Sequence, residues 1–560
     1  MFRRVLFTGI FLFVVSATVA NGDTILVPGD YDTIAEGVAA ASWGDIVEIA
    51  PGTYFEQDII INKHILVIGN PADPSQVIID AGGLGRCFEI SASGLNEEDI
   101  HLKGLTFTGG WSTGNGGAIL ASIFESILKF TNCVFRHNHA SNGGAISVNT
   151  SNAEYWDGGC GFLYCTFEYN ISTGNGGAIH SYGGPLSACR IENCTFIRNE
   201  ADLGGGHYAD TVGFKILDST FDSNHARAGG GSYATGGVSW WSLNSTVANC
   251  TFTHNEAEEY GGGLGYSELV RNLDIVSNDF SYNHSDQGGG AICIRHSDYW
   301  EVLSLENSFY GNSVSLESGE GGGAILCNES RLLIMNPGQE PYDRDVFHWN
   351  TAAIGGAISV QGGSSVYIDY STFRYNEAIY SGHGASGYGG AISVRDDSHL
   401  NLNHSVFLSN FGQHCSALEC NFGAAATISH CTFAANRNDC FQVQASTMLF
   451  TSCIIAFTID GSAFSCFQNS DINLYCTNIF GNQYYNWGYW CVSNYEGING
   501  NMSLDPLFCG ETIDTFESLF LRSDSPCADV PDCGLVGALP VNCGPVVTRS
   551  LSWSELKLAY

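Results

Sequence analysis

Basic residues and proline are what this chain has least of. It carries 21 Lys and Arg against 57 Asp and Glu in 560 residues, a formal charge of −36. Binding phosphate takes clustered cations, so nucleic acid and anionic membrane surfaces are not expected partners. Only 14% of residues are charged at all, well under the usual ~25%. Disorder is nevertheless excluded, because 44% of residues are hydrophobic and 12% aromatic, ample material for a core. Just 12 prolines accompany 69 glycines. Those glycines come in pairs and triplets without a three-residue period, which rules out collagen. Long apolar runs are missing everywhere except at the N-terminus.

Residues 1–20 read as a secretory signal peptide: Arg3 and Arg4, an apolar run from Val5 to Val15, then small residues ending Thr18-Val19-Ala20. The run is short for a membrane span, so an uncleaved anchor is the weaker reading, and no transmembrane segment is expected after cleavage. Export makes disulfides admissible for the 21 cysteines. They are denser beyond Cys415, where Cys415/Cys420, Cys527/Cys533 and Cys533/Cys543 are candidate close pairs. Zinc ligation is not expected, since CxxC-type spacing is absent.

Two strings recur in fixed order. The first is Phe followed three residues later by Asn, at Phe135/Asn138, Phe167/Asn170, Phe196/Asn199 and onward to Phe433/Asn436, with a mean period of ~30 residues. The second is Gly-Gly-Ala-Ile, first at Gly116-Gly117, then at Gly143-Gly144, Gly176-Gly177, Gly355-Gly356 and Gly389-Gly390, with looser copies from Gly204, Gly229 and Gly261. The segments between alternate like strands, as in Ile146 and Val148 on one face. One such unit cannot bury its own apolar face, whereas stacked units close a continuous core. The expected fold is all-β: a single-stranded right-handed parallel β-helix (β-solenoid) of about 11–14 coils. In it Phe stacks on Phe, Asn138, Asn170 and Asn199 form a ladder, and the Gly pairs serve tight turns. Cys two residues before Phe, as at Cys133, Cys165, Cys194, Cys250 and Cys431, shares the inward parity and is expected as a buried thiol.

These alternating strings resemble the repeats of the chlamydial polymorphic outer-membrane proteins and of related secreted bacterial β-helix proteins, over roughly residues 107–440. The resemblance implies a surface-exposed, adhesive β-helix. In that family a C-terminal β-barrel holds the helix in the outer membrane; this chain departs from the pattern, ending at Tyr560 soon after Cys543, so anchoring by that route is not expected. The start also resembles pectin-lyase-like β-helices. Thr33 and Glu36 have capping-box spacing and Ile34, Val38 and Ala41 share a face, predicting a short helix that covers the first coil. Asp505-Pro506 through Ala538 resembles the closing segment of such proteins. The expected organisation is signal peptide 1–20, N-terminal cap and first coils 21–106, repeats 107–510, Cys-rich C-terminal cap 511–545 and tail 546–560. That tail, around Trp553 to Leu558, has the pattern of a short amphipathic helix.

Carbohydrate-active β-helices raise an enzyme alternative, a polysaccharide lyase or glycoside hydrolase, which needs a base beside an acidic cluster or two opposed carboxylates. Gly382-His383-Gly384 resembles a fragment of the polygalacturonase signature, and Arg395, Asp396 and Asp397 follow it, so these are the candidate site residues; the companion strings of that family are absent. Asp369, Asp396, Asp397 and Asp439 are a further candidate face, with weak extracellular calcium binding open and no other cofactor expected. Aromatic clusters at Tyr155-Trp156, Trp240-Trp241, Tyr299-Trp300 and Tyr484 through Trp490 are candidate platforms for sugars or proteins. The sequence thus favours a monomeric, non-catalytic rod, secreted or at the cell surface, that binds an extracellular carbohydrate or a surface protein. A groove with opposed carboxylates would favour the enzyme instead.

Overall fold

The structure, a computed structural model, describes residues 22–544 except 94–99, 125, 152–158, 184–187, 237–244, 269–271, 318–319, 336–344, 380–386 and 468. His383, Tyr155-Trp156, Trp240-Trp241, the signal segment and the tail lie outside the described residues, as do the side chains of Tyr299 and Trp300.

A complete coil contributes two longer strands and two short ones, the second short strand being present in ten coils, and strands pair in parallel with their counterparts one coil on. The longer strands form two rows of a 30-stranded sheet. In the first row Ile119 pairs with Ile146 and Ile146 with Ile179; in the second Leu128 pairs with Cys160 and Cys160 with Cys189. The Phe-bearing strands form a 16-stranded sheet and the two-residue strands after each Asn a 10-stranded one. Sixteen coils are therefore stacked, more than the ~11–14 expected. The strand Gly52–Tyr54 at one end and Asn478–Phe480 at the other keep the pairing without the Gly-Gly and Phe strings that made coils countable in sequence. At ~4.8 Å per coil the shaft is about 70 Å long.

The alternation explains the core. Phe107, Phe135, Phe167 and their successors to Phe433 stack face to face with centroids 4.4–5.1 Å apart and are fully buried. Beside them runs a ladder of buried asparagines: Asn138 Nδ2 donates to Asn170 Oδ1 at 3.0 Å, Asn170 to Asn199 at 3.0 Å, and so on to Asn436. Each Nδ2 also donates to the carbonyl of a Phe one coil back, as Asn170 does to Phe135 at 2.9 Å. A buried amide is costly unless paired, and here donors and acceptors are both used. The residue just before each Asn turns the corner with positive φ, for instance His137 at 53° and Tyr169 at 55°. Gly143 has φ 62°, and a Cβ on its neighbour Gly144 would overlap the backbone carbonyls of Gly177 and Ile171. Gly176 and Gly177 repeat that geometry one coil later.

At the N-terminus Ile34–Ala40 is helical, with Thr33 Oγ1 accepting from Glu36 N at 3.2 Å and the Glu56 carboxylate accepting from Ile34 N and Ala35 N at 2.8 and 2.9 Å. At the other end two tasks are divided. Trp487 and Val492 join the interior core. The segment from Phe508 onward instead runs back along the outside of the 16-stranded sheet, burying Phe520, Val536 and Leu539 against Val406, Leu408, Ala434 and Ile454. Three disulfides lie in this region, Cys466–Cys491, Cys476–Cys533 and Cys509–Cys543. The close pairs expected from sequence are not formed: Cys415, Cys420 and Cys527 are buried thiols, and Cys533 and Cys543 take distant partners. The bridges instead tie a coil to the segment that closes the interior (Cys466–Cys491), a coil to the outer segment (Cys476–Cys533) and two parts of the outer segment to each other (Cys509–Cys543). Cys133, Cys165, Cys194, Cys250 and Cys431 are buried thiols too.

Candidate functional site

Arg395, Asp396 and Asp397 are adjacent in sequence and differ in surroundings. Arg395 is buried and clamps Glu419, its Nε donating to Oε2 at 2.8 Å and Nη2 to Oε1 at 2.9 Å. Ser393 Oγ adds a third bond to Glu419, and the guanidinium lies 5.4 Å from the Tyr388 ring centre. An arginine spent on a fully buried carboxylate is a wall element. Asp396 and Asp397 occupy the next turn, exposed, with φ of 55° and 56°. Asp369 Oδ1 accepts from His404 Nδ1 at 3.0 Å at the end of a second-row strand, while Asp439 Oδ1 accepts from Ser462 N at 2.8 Å before a first-row strand. These four carboxylates therefore sit at three different corners of the coil. Among the described residues no group of three or more His, Cys, Asp or Glu is arranged to hold a metal ion.

A cleft does exist, at the three coils whose Gly strings are irregular. Their outward column reads Tyr208, Tyr233, Gly265, Cys293 in register. The Tyr208 and Tyr233 rings stack at 6.1 Å. Gly265 carries no ring of its own and the Tyr233 ring leans across it, so that a Cβ there would overlap Tyr233; beside that ring lies a hollow of about 260 Å³ lined by Tyr233, Tyr260, Arg227, Glu259, Arg295 and Ser267. Arg227 holds Asp202 through Nε and Nη2 at 2.7 and 3.1 Å and Glu259 through Nη1 at 2.8 Å. The Arg295 guanidinium lies 4.1 Å from the Tyr260 ring centre, and Tyr260 Oη donates to Glu320 at 3.1 Å. Arg295 Nη1 is 4.0 Å from Glu320, and its Nε is buried without a hydrogen-bond partner. His296, at the rim, pairs with Glu329 at 2.7 Å.

Burial pushes the Tyr233 hydroxyl up to about 12 and raises those of Tyr260 and Tyr266 as well as the Cys293 thiol. At neutral pH none of these is an anionic base or nucleophile. Both glutamates already accept from an arginine or a tyrosine, so they do not form the free facing pair that glycoside hydrolysis requires. The hollow is ring-lined, with two arginines that each face carboxylates and hydroxyl groups at its edge. Sequence reasoning passed over it, although the departure from Gly-Gly-Ala-Ile to Gly-Gly-Gly-His-Tyr, Gly-Gly-Gly-Ser-Tyr and Gly-Gly-Gly-Leu-Gly-Tyr was the available signal.

Residues 164–182 match the family model of the Chlamydia polymorphic membrane protein repeat. That stretch runs from the corner at Tyr164 through Phe167 and Asn170 to the Gly176-Gly177 turn, one set of the elements that build a coil. A curated relative, the metabotropic glutamate receptor-like protein R of Dictyostelium discoideum, is 33% identical over 153 residues. The match covers 26% of this chain and only 8% of that protein. Among solved structures, the PL6 family alginate lyase AlyGC aligns over 81% of this chain and 80% of its own, at 11% identity and a TM-score of 0.28. A mannuronic acid specific polysaccharide family 6 lyase from human gut microbiota aligns over 79% and 90%, at 11% identity and a TM-score of 0.30. Likeness at that level says nothing about shared chemistry. No helix among the described residues is long and apolar enough to cross a membrane.

Proposed function

We propose that this protein is an exported, surface-displayed β-helical rod that binds an extracellular carbohydrate or protein through the Gly265 cleft without turning it over. The cleft carries the reading: a hollow beside the Tyr233 ring, with two arginines and two tyrosine rings around it. The polymorphic membrane protein repeat and the three disulfides support a place outside the cell. The helix Ile34–Ala40 closes the first coil against edge pairing, and the rod acts as a monomer.

The test is a binding screen of the mature chain against neutral and acidic glycans and cell-surface proteins, with sugar release followed in parallel. The expected result is a ligand bound without release of unsaturated or reducing ends, with affinity lost at least tenfold in Arg295→Ala and in Tyr233→Ala, which removes one wall of the hollow. Release of sugar products would instead establish the lyase or hydrolase alternative. Binding untouched by both substitutions would move the site elsewhere.

A further inference from the structure

Five successive strands near the start of the second row carry a charge opposite to that of the molecule as a whole. The chain has five lysines, Lys63, Lys103, Lys129, Lys215 and Lys557. Three of them stand on these five strands, on Ile100–Lys103, Ile127–Thr131 and Gly213–Leu217. Register places His101, Lys129, Gly161, Arg190 and Lys215 in one column, with Lys103 in the column beside it. Strand alternation fixes their direction, because Leu102, Phe130, Phe162, Ile191 and Ile216 are buried inward on the same strands. Glu192 is the single carboxylate on the five strands of this patch, and it pairs with Arg190 at 2.7 Å, an exposed contact that a ligand can displace at little cost.

The column has a gap. At Gly161 an added Cβ would meet nothing within 4 Å. The rung between Lys129 and Arg190 is therefore empty, leaving a hollow of about 190 Å³ bordered by both cations, Thr131, Leu163 and the Glu192 that pairs with Arg190. Those two cations are two coils apart, about 10 Å at the coil spacing.

We propose that this column binds a linear acidic polysaccharide lying parallel to the helix axis, with one carboxylate or sulfate received over Gly161 between Lys129 and Arg190. Charge complementarity names the occupant. On a chain of net charge −36, a polyanion is repelled from the general surface and finds favourable potential only along such a track. The track is one strand wide and carries no Phe, Tyr or Trp in its outward column, whose one ring is the His101 imidazole at its end, so it lacks the row of stacking platforms that single-stranded nucleic acid uses. The proposal rests on the reading of the rod as a binding protein but uses different residues from the cleft, so the two fail separately.

The experiment measures binding of heparin, polygalacturonate, neutral dextran and a single-stranded oligonucleotide to the mature chain at low and moderate salt. Heparin or polygalacturonate is expected to bind, with affinity falling linearly in log-log against salt as about three to four counterions are released. The double variant Lys129→Glu, Arg190→Glu should lose at least tenfold. Gly161→Leu, which occupies the hollow without removing any charge, should lose several-fold. Far-UV circular dichroism and the melting midpoint check that each variant keeps its fold. Absence of acidic-glycan binding, undiminished binding in the double variant, or equal or tighter binding of the oligonucleotide would overturn the proposal.

Discussion

The coils with intact Gly-Gly-Ala-Ile and the three that begin at Gly204, Gly229 and Gly261 share one backbone and differ in what they place on it. In the intact coils the inward column is isoleucine, Ile119, Ile146 and Ile179, all buried. In two of the irregular ones the same column carries His207 and Ser232, fully buried, with His207 bonded to Ser181 at 3.1 Å and to Ser232 at 3.2 Å, and in the third it returns to an apolar residue, Leu264. Outside, the irregular coils replace a filled column by two tyrosines and then a glycine. A perfect repeat stacks like on like and leaves no concavity, so a solenoid gains a site where the stack is interrupted. Gly161 leaves its rung empty, Gly265 lets the Tyr233 ring lean across it, and Gly144 does the reverse of Gly161, admitting close backbone approach.

That contrast can be broken most severely at Gly144. Gly144→Val forces two coils apart and should destabilise by more than about 5 kcal/mol, beyond the range of ordinary substitutions; urea unfolding followed by circular dichroism measures it, with Gly161→Val expected within about 0.5 kcal/mol. Next in size, Phe221→Ala opens a cavity in a stack running through both kinds of coil and should cost about 3–5 kcal/mol. A loss below about 1 kcal/mol would mean that the Phe column is not a shared load. Third comes pH. Asp345 is fully buried where Asn278 and Asn307 stand on earlier coils, accepting from Asn307 N at 2.7 Å while its Oδ2 has no partner. Burial pushes its carboxyl up to about 7. The folded state therefore holds this proton more tightly than the unfolded chain does. The resulting stability is full below the ordinary carboxyl range and is lost as pH rises through about 7. Asp345→Asn should remove that dependence and raise stability at pH 8 by roughly 2–3 kcal/mol, read from melts between pH 4 and 8. The smallest effect is expected for His207→Ile, which converts an irregular interior to the regular one; loss of two hydrogen bonds and gain of apolar burial should cancel to within about 1 kcal/mol.

The fold was legible because its determinants are local and repeated. Phe167, Asn170, Gly176 and Gly177 lie within a dozen residues of one another, and each has a task that its type alone suggests. The number of coils was less so, since Gly52–Tyr54 and Asn478–Phe480 pair as the other coils do without bearing the strings. The bridge Cys476–Cys533 spans 57 residues and depends on where the strap folds back, which no spacing rule contains. The cleft was illegible for a related reason. Arg295 and Glu320 are brought to Tyr260 across successive coils, while Arg395 and Asp396, contiguous in sequence, part company at a single left-handed turn.

By itself, then, the sequence determined the parallel β-helix, its Phe and Asn columns and its acidic, glycine-rich character. These follow from alternation and turn chemistry within one period, where each residue meets a copy of itself. The tertiary structure decided which outward side chains share a column and where a rung is missing. Coil lengths vary, so neighbours across coils are set by the register of hydrogen bonds between strands, and a recognition surface belongs to that register.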